Sequence, residues 1–201
     1  MKSRATLTAL SALMTLASLA VLTGCENHDG NDWQRLVCDV QSVNAGAPLV
    51  SAYLDAGSDR TAGTEDDYQP IDTVQVVFHA RPYGSTVTLP EDGAHSWFQI
   101  DRYDLIWETD PGTPVDLSPH NVIGGHVDIM VPVHEEAAGA ILVAGSDMKN
   151  APWFVDVYTG NIAPFQADAK ITFYGHETGS SHEVAVQAGC RVHFIAVRIQ
   201  N

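Results

Sequence analysis

The chain has 201 residues and carries 25 Asp and Glu against 10 Lys and Arg, a formal net charge of −15 at pH 7. Such a surface repels nucleic acid and anionic lipid headgroups, so neither is an expected ligand; a basic partner or divalent cations suit it better. Apolar residues make up 45% of the chain, which excludes wholesale disorder and leaves room for one packed core.

In chain order, the first feature is an export signal. Lys2 and Arg4 give a short basic start, and residues 5–22 follow without a charge. That is the pattern of a secretory signal, and no basic stop-transfer cluster follows it. The stretch ends in Leu22-Thr23-Gly24-Cys25. These four residues resemble the lipobox of bacterial lipoproteins, in which an apolar and two small residues precede an acylated cysteine. The resemblance implies cleavage after Gly24, lipid on Cys25 and a place in the cell envelope. Residues 1–24 are then the signal peptide, 25–33 the lipidated cysteine and tether, and 34–201 the folded domain. Two or more acyl chains hold a protein stably on a membrane. By the same resemblance, Glu26 after the cysteine implies the outer membrane. Removal of Lys2 and Arg4 leaves 8 basic against 25 acidic residues.

Beyond the polar tether, apolar residues recur with period two. Leu36, Cys38 and Val40 form one set, Val74, Val76, Phe78 and Ala80 a second, and Val127, Ile129, Val131 and Val133 a third. Val184 with Val186, then Val192, Phe194 and Ala196, follow near the end. Alternation of this kind marks half-buried strands. Residues 100–107, 140–143, 154–158 and 171–174 are further strand candidates, rich in aromatic and β-branched side chains. Turn residues separate them at 81–84, 90–93, 110–112, 124–125 and 178–180. A helical turn fits at 147–150, with Pro152 ending it. The expectation is an all-β chain: a single antiparallel β-sandwich of about eight or nine strands.

Residues 55–67 form the most informative loop. Five carboxylates (Asp55, Asp59, Glu65, Asp66 and Asp67) fall within it, punctuated by Gly57 and Gly63. Calcium takes six to eight hard oxygens, and glycines let a short chain bend to supply them. The spacing is not that of an EF-hand. It is similar to the acidic loops of bacterial surface proteins and thrombospondin-type-3-like repeats, matching at Asp55, Gly57, Asp59, Gly63, Thr64, Asp66 and Asp67, with Arg60 where such loops often carry glycine. Calcium (Ca2+) is the cofactor this implies, with the five carboxylates as its ligands.

With Cys25 acylated, Cys38 and Cys190 remain. An oxidising compartment and an even count suggest a disulfide between them, closing a loop of about 150 residues worth ~4–5 kcal/mol. Other side chains invite chemistry more weakly. His120, His126, Asp128 and His134 could supply a zinc site, but dense ligand spacing is missing and a wet sheet face explains them equally. His176 and His182 flank Ser180 and Ser181, yet no G-x-S-x-G accompanies them. Asp101 and Asp104 lie near Trp97, Tyr103 and Trp107, the ingredients of a carbohydrate site or of an ordinary core and rim.

Residues 100–107, 171–177, 183–186 and 192–194 resemble strands of small bacterial lipoproteins with an immunoglobulin-like or C2-like sandwich. That resemblance implies fold and envelope location, and it carries no catalytic residue. The expected function is non-enzymatic: a calcium-stabilised envelope module that binds or assembles with another envelope protein or a glycan. An enzyme or zinc protein using residues 120–134 is the alternative, and a carbohydrate-binding module is a third.

Overall fold

The described residues form eight strands, most of them from the period-two segments: β1 (Leu36–Val43), β2 (Leu49–Asp55), β3 (Asp72–Pro82), β4 (Trp97–Thr109), β5 (Val122–Pro132), β6 (Glu136–Ala144), β7 (Phe165–Glu177) and β8 (Glu183–Arg198). The computed structural model describes residues 35–84 and 96–199. The chain divides into two units, Met1–Trp33 and Gln34–Asn201, and the described residues belong to the second. The signal, the lipobox with Cys25, the tether and the expected turn at 90–93 lie outside the described residues.

The strands form two sheets, ordered β1-β3-β6 and β2-β8-β7-β4-β5. The two sheets include a curled half-barrel. Between the sheets lies one core. Phe78 from the smaller sheet meets Phe173 from the larger edge-on, with ring centroids 4.9 Å apart. Phe98, Ile100, Leu105, Ile141 and Phe194 are buried around them. The side chains fall as the alternation requires: Val74, Val76, Phe78 and Ala80 are buried, while Thr73, Gln75 and Arg81 are exposed.

Pairing departs from the expected all-antiparallel arrangement at one place. β2 runs parallel to β8, with Leu49 opposite Val192 and Asp55 opposite Arg198. Asn44, Ala45 and Gly46 all have positive φ. This tight passage carries the chain from the smaller sheet to the larger, and β2 enters beside β8 running the same way. No hairpin ties these two strands, so nothing forces them antiparallel. The sequence pattern did not mark 49–55 as a strand, because Ser51 and Ala52 are buried consecutively and break the alternation.

Two further expectations are corrected. Residues 154–158 are not a strand: a short helix α1 (Ser146–Lys149) is followed by α2 (Pro152–Thr159). Pro152 opens α2, where its missing N–H costs nothing, and Gly160 closes it with φ 81°. Phe154 and Val157 face the core, so the aromatic run serves helix packing. The Gly124-Gly125 pair is not a turn but part of β5. A Cβ on Gly125 would stand 2.5 Å from the Tyr103 ring, and one on Gly139 of β6 would stand 2.2 Å from Ile129. Gly125 makes room for the Tyr103 ring within the larger sheet, Gly139 lets β6 close against β5 of the other sheet, and Tyr103 Oη donates to the Leu142 carbonyl at 3.1 Å across that seam.

The strand directions define two ends. β1 begins, β7 ends and β8 begins at one end, where the Arg35 guanidinium and backbone N–H both bind buried Glu177. We call this the lower end, since the chain enters the domain there. At the upper end β2 and β8 finish, β3 starts, and a buried charge network joins them. Lys149 is fully buried, and its Nζ donates to Ser51 Oγ at 2.8 Å, the Ala52 carbonyl at 2.6 Å and Asp72 Oδ2 at 2.5 Å. Burial pushes the ammonium down in pKa and the Asp72 carboxylate opposes that. Arg198 lies 3.7 Å from Asp72 and pairs with buried Asp55 at 2.8 Å. Lys149 thus uses all three of its donors. Lys149→Met leaves the Asp72 carboxylate buried beside a neutral chain and is expected to lower stability by about 3–5 kcal/mol. A Lys149→Met, Asp72→Leu pair is expected to recover most of that in a denaturant melt.

Candidate functional site

The acidic loop sits at the upper end, between β2 and β3. Its first carboxylate, Asp55, is buried and committed to Arg198, and its Oδ1 also accepts the Gly57 N–H at 3.3 Å. The other four are more exposed, and Asp59, Asp66 and Asp67 bind the loop itself. Asp66 accepts the Ser58 N–H at 2.7 Å, the Ser58 hydroxyl at 2.8 Å, the Asp59 N–H at 3.1 Å and the Thr64 hydroxyl at 2.8 Å. These donors hold its carboxyl well below the usual carboxylate range, the Thr64 bond foremost. Asp67 accepts the Gly63 N–H at 2.6 Å and the Thr64 N–H at 3.2 Å, and Asp59 accepts the Thr61 N–H at 2.8 Å. Gly57 passes so near Asp66 that a Cβ would lie 2.5 Å from its carboxylate. Arg60, in the place where similar loops carry glycine, adopts φ 60°. Among the described residues no three His, Cys, Asp or Glu side chains stand together as a ready metal-ligand group.

The outer face of the larger sheet is a ladder of charge pairs. Arg191 holds Asp168 at 2.7 Å and Asp110 at 3.4 Å, and Lys170 meets Glu108 at 2.5 Å. Arg102 reaches Glu183 at 2.6 Å and lies 3.7 Å above the Tyr174 ring. Tyr174 donates to Asp104 at 3.0 Å, and burial and that bond raise its phenol pKa, the bond more. An open groove of about 600 Å³ runs between these pairs, lined by Ile106, Lys170, Thr172, Gln187 and Ala188. Asp168 is also lowered, by its Arg191 hydrogen bond. Anions held this way are poor proton donors.

The histidines are dispersed. His120 accepts Trp153 Nε1–H at 3.3 Å beside the core. His126 and Asp128 point outward from β5, as the alternation predicts, and Gln99 binds Asp128 at 2.5 Å. His134 has left the strand for the following turn, with φ 67° and its N–H on the Ala80 carbonyl. Near Ser180, the contact with His182 is through backbone N–H, not the ring. Of the aromatic trio, Tyr103 and Trp107 are buried and only Trp97 is partly exposed, so two of the three rings cannot stack on a sugar. His176 lies 3.4 Å from Asp101.

The expected disulfide is not formed. Cys38 and Cys190 are free, buried thiols, one in each sheet. Burial pushes Cys38 up to about 12 and raises Cys190 as well. Both pack in the core as small apolar groups.

The sequence matches no protein-family model, and a search of curated proteins finds no significant match.

The residues that sequence reading missed are Lys149 and Arg198, whose partners lie 77 and 143 positions away. Residue spacing gives no signal for such contacts. Within the loop, Asp66 is the organising acceptor. Asp66→Ala is expected to speed tryptic cleavage after Arg60 severalfold at constant global stability, measured by the appearance of the two fragments; an unchanged rate would mean that the loop is held by something else.

Proposed function

We propose that this chain is a lipid-anchored module of the bacterial envelope, fixed through Cys25 to the outer membrane, that binds or assembles with another envelope component without catalysing a reaction. The observation that carries this reading is how the chemically capable groups are used. The carboxylates with displaced ionisation are held as anions by arginine or hydroxyl and backbone donors. The histidines are spread over a core edge, an open face and a turn. The surface offers charge pairs and an open groove. That is a recognition surface more than a reaction centre. We read the two sheets around one core as a curled relative of the immunoglobulin-like or C2-like sandwich.

The chain enters at the lower end beside Arg35, and the acidic loop lies at the upper end. Calcium at the loop belongs to the same proposal. Asp55 is taken by Arg198, so an ion would draw on Asp59, Glu65, Asp66 and Asp67, replacing bonds that Asp59, Asp66 and Asp67 now make to the loop's own amides. Envelope binding with a zinc-dependent or hydrolytic activity centred on residues 120–134 is the second reading, and it would need His120, His126 and His134 to converge.

Two measurements test the proposal on the full chain. Cys25→Ser is expected to remain at unacylated precursor mass, whereas the parent chain is expected to lose the mass of residues 1–24 and gain that of its acyl groups. Calcium is expected to raise the melting temperature by a few degrees, and Asp59→Ala is expected to remove that gain. A parent chain of unmodified mass would sink the anchor; no calcium shift would confine the loop to its own hydrogen bonds.

A further inference from the structure

Lys149 and Asp72 are an amine and a carboxyl group held together where water is excluded. Nζ lies 2.5 Å from Asp72 Oδ2, and the two side chains are 0% and 3% exposed. Distance alone does not set this pair apart. Lys170 meets Glu108 at the same 2.5 Å, but those side chains are 61% and 56% exposed. Water solvates both groups there and keeps them as ions. Around Lys149 the surroundings are different. The Phe154 ring lies 4.8 Å from Nζ and is itself fully buried, and the ammonium's partners are Ser51 Oγ, the Ala52 carbonyl and Asp72.

An ammonium and a carboxylate contain the atoms of one amide and one water. In bulk water hydration favours the ions. Burial removes that hydration, and replacing a buried ion pair by a neutral group is often favourable. Burial also pushes the Lys149 pKa down; Asp72 opposes the shift and Arg198 adds to it. The nucleophilic neutral amine is therefore easier to reach here than on the surface. The geometry suits attack as well. A hydrogen bond this short leaves Nζ about 3–3.5 Å from the carboxyl carbon, the separation of a near-attack pair. The other carboxyl oxygen, Oδ1, lies 3.7 Å from the Arg198 guanidinium. That cation stands where negative charge gathers when the carbon is attacked.

We propose that Lys149 and Asp72 condense in the folded chain to form an intramolecular isopeptide bond. One proton passes from Nζ to Oδ2 along the existing hydrogen bond. The freed lone pair attacks Asp72 Cγ, the C–N bond forms, and the carbonyl π pair moves onto Oδ1 beside Arg198. A second proton passes from nitrogen to Oδ2. The C–Oδ2 bond breaks, water leaves with both protons, and the pair on Oδ1 returns to carbon. The third hydrogen stays on nitrogen as the amide N–H, with Ser51 Oγ and the Ala52 carbonyl in reach as acceptors. Ammonium and carboxylate thus become amide and water, with no oxidant or other reactant. The bond joins the end of α1 to the start of β3, 77 positions apart, at the end of the fold where the acidic loop departs. Cys38 and Cys190 are free thiols, so this closure is a covalent lock that reductant does not open. The ion pair described above is the reactant state, and the stability changes expected for its variants refer to that state. The bond forms whether or not Cys25 is acylated.

The test is intact-mass spectrometry of the full chain, purified folded and then denatured, followed by digestion with a lysine-specific protease. Cys25→Ser, measured beside the parent, separates acyl mass from the mass in question. In both, most molecules are expected to weigh one water less than polypeptide and acyl groups together. Cleavage after Lys149 is expected to be lost, because its nitrogen is no longer an ammonium, while cleavage after Lys170 shows that digestion is complete. Fragment ions of the uncleaved peptide are expected to place the link between Lys149 and Asp72. Asp72→Ala removes one reactant and is expected to show its full sequence mass and normal cleavage after Lys149. The parent carries the positive result, so the outcome does not depend on whether that variant folds. Full mass with normal cleavage after Lys149 overturns the proposal and leaves an ion pair. Loss of water with Lys149 still cleaved places the dehydration elsewhere. Loss that persists in Asp72→Ala gives the lysine another partner. Either of these overturns the proposal too.

Discussion

The buried pairing of Lys149 with Asp72, backed by Arg198 and Asp55, is the constraint on which the upper half of the fold depends. A charged group inside a protein is tolerated when every donor and acceptor has a partner. Lys149 meets that condition with three acceptors drawn from two strands, β2 and β3. Arg198 extends it to β8 and to the first residue of the acidic loop. One network therefore fixes the end of β2 against β8, ties the smaller sheet to the larger, and sets the position from which the loop departs. Phe154 of α2 lies 4.8 Å from the same ammonium, so the helix that covers the upper core is registered by it as well. Among the described residues no buried side-chain nitrogen or oxygen lacks a hydrogen-bond partner, which is the condition under which such a network specifies one arrangement rather than several.

The sheets themselves were largely legible in the sequence because they depend on a local signal. Where strands have one wet and one dry face, as in β1, β3, β5 and β8, alternation places them and orients each side chain. Where that premise fails, the reading fails with it. β2 is buried on both faces at Ser51 and Ala52, and no alternation marks it. The run Phe154 to Tyr158 is aromatic and β-branched, which favours a strand. Yet Pro152 two residues earlier pre-sets a helical start and Gly160 supplies the stop, and burial of Phe154 and Val157 against Phe194 settles the matter. The proline was read as an ending when its position made it a beginning. The Gly124-Gly125 pair departs from expectation for a related reason: the missing side chain of Gly125 serves close approach to Tyr103, and Gly124 takes φ 67° within the strand, so neither reverses the chain.

The candidate site was legible only in part. Five carboxylates and two glycines announced a tight acidic loop, and the loop is there. What sequence could not reveal is which carboxylate belongs to which partner. Asp55 looked like a ligand because it stands at the head of the motif, but its partner is an arginine 143 residues away. Asp66 looked equivalent to its neighbours, yet it gathers four donors and organises the turn. The cysteines show the same limit. Compartment and parity favoured a bridge, whereas the fold places one thiol in each sheet and keeps both apolar and protonated.

These features converge on a division of labour along the strands. The lower end receives the chain and pins it through Arg35 to Glu177. The upper end is stiffened by buried charge and carries the acidic loop. Between them, the larger sheet shows solvent a face of matched ions, whose contribution to stability is small because exposed pairs are well solvated. Their greater effect is on association. Matched charges discourage indiscriminate contact with a strongly acidic neighbour or a basic one, since each ion already has a partner and its exchange gains little. A surface built that way confines productive contact to places where charge is missing.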